Sequence, residues 1–178
     1  MRDLALRVIE ILVIFDLILL ICVNLRPKKM IRKAKMEDVP KLQKLINSFA
    51  NEGKMLPIAL TQLYENLRDF WVYEKKDKTV ACCRLHITWK DLGEIRSLAV
   101  VEEEQRCGIG NLLLEKALDE ARNLNLKKVF ALTYVPAFFE KHGFFRVPKS
   151  KLPRKIWSEC LNCPKFPKCD EIAVMKEM

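Results

Sequence analysis

Residues 92–124, LGEIRSLAVVEEEQRCGIGNLLLEKALDEARNL, constrain the fold most, because they call for a strand, a tight turn and a long helix in direct succession. Residues 92–100 are rich in Ile, Leu and Val and are bounded by Asp91-Leu92-Gly93 and by Glu102-Glu103-Glu104, which reads as a strand. From Gly108 onward, Ile109, Leu112, Leu113, Ala117, Leu118, Ala121 and Leu124 fall on one helical stripe, with Glu115, Asp119, Glu120 and Arg122 largely opposite. Between them, Gln105-Arg106-Cys107-Gly108-Ile109-Gly110 places two glycines where the first N–H groups of the helix are still free. Such a turn can cradle an anion, although two glycines at an ordinary strand-to-helix connection would look the same in isolation.

The rest of the chain bounds what this unit can serve. At 178 residues and 50% hydrophobic, it can bury one good core and reads as a single domain. The net charge of +9 is spread rather than gathered in an arginine-rich tract with interleaved aromatics, which argues against nucleic acid and suits an anionic small molecule. Seven cysteines without a convincing cleavable signal point to a reducing compartment, the cytoplasm, and mostly free thiols. Cys160-x-x-Cys163 and Cys169 are half of a zinc motif, with only His86, His142, Asp170 or a distant cysteine to complete it, so no metal is expected.

Residues 4–25 are strongly apolar and are followed by Arg26, Lys28, Lys29, Arg32, Lys33 and Lys35. Arg7, Glu10 and Asp16 interrupt the run, leaving it short of the roughly 20 residues a spanning helix needs. Three readings stay open: a weak membrane anchor with the domain in the cytoplasm, an amphipathic interfacial helix, or a leader ahead of a true start at Met30. The domain proper is read as residues 30–178. It opens with a strand over 30–34, then a helix with Asp38 as N-cap, Pro40 in its first turn and Val39, Leu42, Leu45, Ile46 and Phe49 on its apolar face. A second helix over 60–67 puts Leu60, Leu63, Tyr64 and Leu67 on one side. Strands over 70–75 and 79–88 flank the Lys76-Asp77-Lys78 turn, and after the long helix come a strand over 128–132, a short helix over 136–142 and strands over 144–147 and 172–175.

The strand, the Q-x-x-G-x-G turn and the helix, together with Leu98-Ala99-Val100 and Phe139-Glu140-Lys141-His142-Gly143-Phe144, resemble the acetyl-CoA site of the GNAT superfamily of N-acetyltransferases. The resemblance implies an α/β (α+β) fold, a mixed central sheet flanked by helices, here with an extra N-terminal hydrophobic helix. It also implies acetyl-CoA as a substrate, with Leu98, Ala99, Val100, Gln105, Arg106, Cys107, Gly108, Ile109, Gly110 and Asn111 as its binding residues. Leu63-Tyr64-Glu65, Phe70-Trp71-Val72, Leu85-His86-Ile87-Thr88-Trp89, residues 91–100 and Val129-Phe130-Ala131-Leu132-Thr133 are similar to the acetyltransferase domain of bacterial N-acetylglutamate synthases, in their short stand-alone form. That family implies acetyl transfer to the α-amino group of L-glutamate, or of L-glutamine, at the first step of arginine biosynthesis. The partners it implies are small molecules, a homodimer is compatible with it, and the oligomeric state stays open.

An α-ammonium group must lose a proton before it attacks a thioester, so a base is required. Glu94 matches the proposed base of these synthases, and it can also be read as an exposed strand carboxylate or as the partner of Arg96. His86 is the second candidate base, directly or through water, and can equally be a packed, hydrogen-bonded histidine. Many superfamily members carry a Tyr acid where this chain has Phe139, so Tyr134 or Thr133 stands in as a candidate acid. Recognition of glutamate carboxylates requires cations, for which Arg96, Arg84 and Lys155 are candidates, joined by Lys149, Lys151 and Arg154. The family tends to place an Arg after Met55-Leu56-Pro57 where this chain has Ile58. Two rival readings remain: an acetyltransferase acting on a protein N-terminus, a lysine or a polyamine, and a non-catalytic acyl-CoA-binding regulator.

Overall fold

The computed structural model describes residues 30–152 and 168–178. The apolar stretch at 4–25, Arg154, Lys155, Cys160 and Cys163 lie outside the described residues. Among the described residues, no helix is long and apolar enough to cross a membrane.

Strands β1 (Met30–Lys33), β2 (Phe70–Lys75), β3 (Lys78–Trp89), β4 (Leu92–Val100), β5 (Lys128–Thr133), β6 (Phe145–Arg146) and β7 (Ile172–Glu177) form one sheet in the order β1-β2-β3-β4-β5-β7-β6. Among these described strands only β4 and β5 pair in parallel, joined through helix α3 (Ile109–Asn123); every other neighbouring pair is antiparallel. The mixed sheet and its flanking helices agree with the α/β expectation. Helices α1 (Val39–Asn51) and α2 (Leu60–Glu65) precede the sheet's middle, and α4 (Pro136–Glu140) follows β5.

Alternation along the strands sorts the core onto two faces. On one face, α3 and Phe139 pack over Tyr73, Ala81, Cys83, Leu85, Ile95, Val129, Ala131 and Val174. On the other, α1 and α2 cover Phe70, Val72, Cys82 and Ala99, while a separate cluster of Leu92, Phe130, Leu152, Ala173 and Met175 covers the β5–β7 half. Between these two clusters, among the described residues, no apolar cluster covers the second face.

Several sequence expectations shift by a turn or a face. Helix α3 buries Ile109, Leu113, Leu114, Ala117, Leu118 and Ala121, whereas Leu112 and Leu124 are half-exposed. The buried stripe is thus rotated from the expected one, because the sheet accepts Leu114 and leaves Leu112 on the rim. Leu63 and Leu67 are buried as expected, but Leu60 and Tyr64 are exposed, since the six-residue α2 turns only its Leu63 side inward. Asp38 does sit at the N-cap of α1, yet its carboxylate does not cap the helix. It accepts from Arg32 Nη1 at 2.6 Å, Arg32 Nη2 at 3.0 Å and the Lys35 N–H at 2.8 Å instead.

Candidate active site

The site begins with an irregularity in β4. Cys82 pairs with Ala99 and Arg84 with Arg96, so Ser97 and Leu98 together oppose the single residue Cys83. That is a bulge, and Ser97 takes a positive φ of 49° to make it. The extra residue reverses the side-chain alternation, so Ile95 faces α3 while Ala99, four positions on, faces α1 and α2. β4 also turns away from β5. Their pairing covers only Leu92↔Lys128, Gly93↔Val129 and Glu94↔Phe130, and beyond Glu94 the β5 side of β4 has no strand partner among the described residues.

The parted strands open a cleft of about 1560 Å³. Its lining includes Glu94, Arg96, Leu98, Ala99 and Val100 of β4, Arg84 and His86 of β3, and Thr133 and Tyr134 at the end of β5. At one end lies the glycine turn, represented by Gln105, Arg106, Gly108, Ile109, Gly110 and Asn111. Cys107 is exposed and lies outside this lining. Arg106 and Gly108 have φ of 60° and 80°, a curvature that Gly108 adopts without penalty. The Gln105 amide donates to the Val100 carbonyl at 3.0 Å and ties the turn to the end of β4. The first bond of the helix runs from the Leu112 N–H to the Gly108 carbonyl at 3.1 Å, so the N–H groups of Ile109, Gly110 and Asn111 precede the helical ladder. The turn therefore has the form of an anion cradle.

At the middle of the cleft, register gathers four residues that the sequence offered separately. Arg84 is the cross-strand partner of Arg96, and His86 is that of Glu94, so all four occupy one block on the same face of the sheet. Glu94 is 5% exposed and its Oε2 lies 2.5 Å from Arg96 Nη2. It is thus the partner of Arg96, and buried rather than exposed. Arg84 is buried too; it donates through Nη2 to Asn66 Oδ1 at 2.7 Å and through Nε to Asp69 Oδ2 at 3.3 Å. His86 Nδ1 sits 2.9 Å from Arg84 Nη2 and 3.4 Å from Asp69 Oδ2. Burial alone would raise the Asp69 carboxyl, but with the His86 ring and the Arg84 guanidinium beside it Asp69 is held below the usual carboxylate range.

On the far wall, the Tyr134 hydroxyl donates to Asp170 Oδ1 at 2.8 Å, and Thr133 Oγ1 accepts the Val135 N–H at 3.0 Å. Lys149 Nζ donates to the Cys169 carbonyl at 2.7 Å, so the segment entering β7 lies along this wall. Ile58, on the opposite rim, exchanges two hydrogen bonds with the Asn47 side chain, which fixes the 55–58 loop to α1. Asn66 and Asp69 were not singled out from sequence, and Asp170 was named only as a possible fourth ligand for the cysteines, not as a residue of this cleft. Asn66 and Asp69 flank a 3-10 turn before β2, and Asp170 is 36 residues from the tyrosine it meets, so no local pattern marks them.

The described cysteines Cys82, Cys83, Cys107 and Cys169 are free thiols. Burial pushes the Cys82 thiol up to about 12 and raises Cys83 as well, so both are inert packing groups. Among the described residues, no cluster of three His, Cys, Asp or Glu could hold a metal ion.

Comparison with known proteins bears on this geometry directly. Residues 37–144 match the Acetyltransferase (GNAT) family. The chain belongs to that family. Its relatives include an uncharacterised N-acetyltransferase of Chlorobaculum tepidum, 38% identical over 148 residues, spanning 83% of this chain and 96% of that protein. An amino-acid acetyltransferase of Mycobacterium tuberculosis is 38% identical over 136 residues, 74% of this chain and 77% of that one. Among solved structures, a Mycobacterium tuberculosis protein in complex with CoA and NLQ superimposes with a TM-score of 0.73 at 30% identity, covering 84% of this chain and 99% of that chain. N-acetylglutamate synthase of Neisseria gonorrhoeae, solved with coenzyme A and N-acetyl-glutamate, shares the fold with a TM-score of 0.77 at 24% identity; 84% of this chain covers 35% of that one. The GNAT chain is therefore an acetyl-CoA-dependent N-acetyltransferase, with acetyl-CoA as a substrate.

Proposed function

We propose that this acetyltransferase moves the acetyl group of acetyl-CoA to the α-amino group of L-glutamate or L-glutamine, with Glu94 as the base. One observation carries the reading: a buried carboxylate sits on the cleft floor at the last paired position of β4, bracketed by Arg96 and His86. The name of the Mycobacterium tuberculosis amino-acid acetyltransferase supports the substrate class.

In this scheme Glu94 removes one proton from the acceptor's ammonium group, and the free amine attacks the thioester carbon. The N–C bond forms, the C–S bond breaks, and the thiolate leaves. The nitrogen's second surplus proton goes to the thiolate to give CoA-SH, while Glu94 releases its proton to water. Charge on the thioester oxygen develops beside the stretch of β4 that has no β5 partner, where backbone N–H groups are preorganised donors. A free thiol loses its proton near pH 8.5, so the thiolate is a fair leaving group even while the Tyr134 hydroxyl is engaged with Asp170. The guanidinium of Arg96 gives the block its attraction for a carboxylate.

The test is turnover by the full chain with acetyl-CoA and L-glutamate, L-glutamine or a lysine peptide, read by mass of the acetylated product. Acetylated amino acid is expected, and acetylation of the peptide alone would overturn the substrate class. For Glu94→Gln, kcat at neutral pH should fall by about 10²–10⁴-fold with acetyl-CoA affinity retained. Full activity in that variant would remove Glu94 from the role.

A further inference from the structure

His86 lines the acceptor region of the cleft with only one of its ring nitrogens committed. Nδ1 lies 2.9 Å from Arg84 Nη2, while Nε2 has no partner among the described residues. A guanidinium carries donors only, so the atom it meets at hydrogen-bond distance must accept. Arg84 cannot readily turn its fork away: it is 6% exposed, Asn66 Oδ1 holds the same Nη2 at 2.7 Å, and Asp69 Oδ2 holds Nε at 3.3 Å. Asp69 is the competing partner for Nδ1, at 3.4 Å, where a hydrogen bond is at the edge of its range.

The two partners dictate opposite chemistry. Were Asp69 to take an Nδ1 proton, Nε2 would offer a lone pair to the cleft and His86 could serve as a base. With Arg84 donating into Nδ1, the ring proton resides on Nε2 and the histidine can only donate there. We infer that Asn66, Asp69 and Arg84 form a positioning set that fixes His86 as the Nε2–H tautomer, making it a specificity residue that donates a hydrogen bond to an oxygen of the acceptor rather than a second base. The acceptor this selects is an amino acid with a carboxylate or carboxamide oxygen within reach of β3. A plain alkylamine or polyamine has no such oxygen and would leave the Nε2–H unmatched.

This inference rests on the acceptor site proposed above, but its first test does not. The chain contains two histidines, His86 and His142, so the long-range ¹H–¹⁵N spectrum of the full chain labelled in histidine is assigned with one His142→Gln comparison. The expected pattern for His86 is a protonated Nε2 and a bare Nδ1. The reverse pattern would overturn the inference whichever acceptor is used. In Arg84→Met the ring should move to Nδ1–H against Asp69, and an unchanged Nε2–H pattern there would show that Arg84 does not set it.

Kinetics supply the second arm. His86→Gln, whose amide can supply an N–H near the position of Nε2, should stay within a few-fold of the parent. His86→Ala should raise the acceptor KM roughly tenfold, the worth of one hydrogen bond, with acetyl-CoA KM unmoved. Equal collapse of kcat in both variants, with loss of the acidic limb of the pH profile, would make His86 a base and sink the assignment.

Discussion

Asp38 carries more of the fold than its position at a helix start would suggest. It is fully buried, and four donors converge on it: two from Arg32, the Lys35 N–H and the Thr79 hydroxyl at 3.2 Å. Through Arg32, which also holds Glu74, it binds the start of α1 to β1, β2 and β3. Burial by itself would raise this carboxyl; the Arg32 and Lys35 hydrogen bonds prevail and hold it below the usual Asp range. A carboxyl depressed in the folded state stabilises fully above its unfolded value of about 3.9 and loses that contribution as pH falls through the folded value. Asp38→Asn should therefore cost about 3 kcal/mol at pH 7 and flatten the loss of stability below pH 4, both read from urea melts across pH. A variant as stable as the parent at pH 7 would show that Arg32 re-pairs at no cost. The sequence marked Asp38 as a cap because Asp before a helix usually is one. The arginine that takes its carboxylate instead stands six residues upstream on β1, a spacing that capping patterns do not record.

At the scale of elements, the strand, turn and helix of residues 92–124 were legible because each has its own period and the glycines punctuate them. Rotation of the helix was not legible. Leu112, Leu113 and Leu114 are consecutive, so the sequence supports more than one apolar stripe, and only the sheet beneath selects which leucine is inside. Leu114 is fully buried and Leu112 is 49% exposed. Leu114→Ala should destabilise by roughly 2–5 kcal/mol through lost burial and a cavity, whereas Leu112→Ala should fall within about 0.5 kcal/mol of the parent. Thermal or urea unfolding of the two variants decides it, and equal losses would restore the stripe expected from spacing. The bulge at Ser97 was hidden for a related reason: a non-glycine residue at positive φ leaves no mark on hydrophobic alternation until its partner strand is known.

Across the whole molecule, the site is a consequence of the sheet being incompletely closed. Three parallel pairs hold β4 to β5 at one end, and α3 bridges the halves from behind, so the front of the sheet can part without breaking the core. The stretch of β4 beyond Glu94, which has no strand partner on its β5 side among the described residues, and the N–H groups that precede the helical ladder of α3 both border the same cleft. Amide hydrogens without a ladder partner exchange at low local cost, whereas those inside the β2–β3 ladder exchange only on larger openings. Acetyl-CoA binding should therefore slow exchange most in residues 96–112 and little in β2, as measured by hydrogen–deuterium exchange with peptide-level mass detection at saturating ligand. Protection spread evenly over all strands would mean that the ligand acts by global stabilisation, which raises every deeply protected amide by the same free energy. Protection concentrated at the parted edge would mean that the substrate supplies the contacts that β5 withholds, and that the bulge is what reserves them.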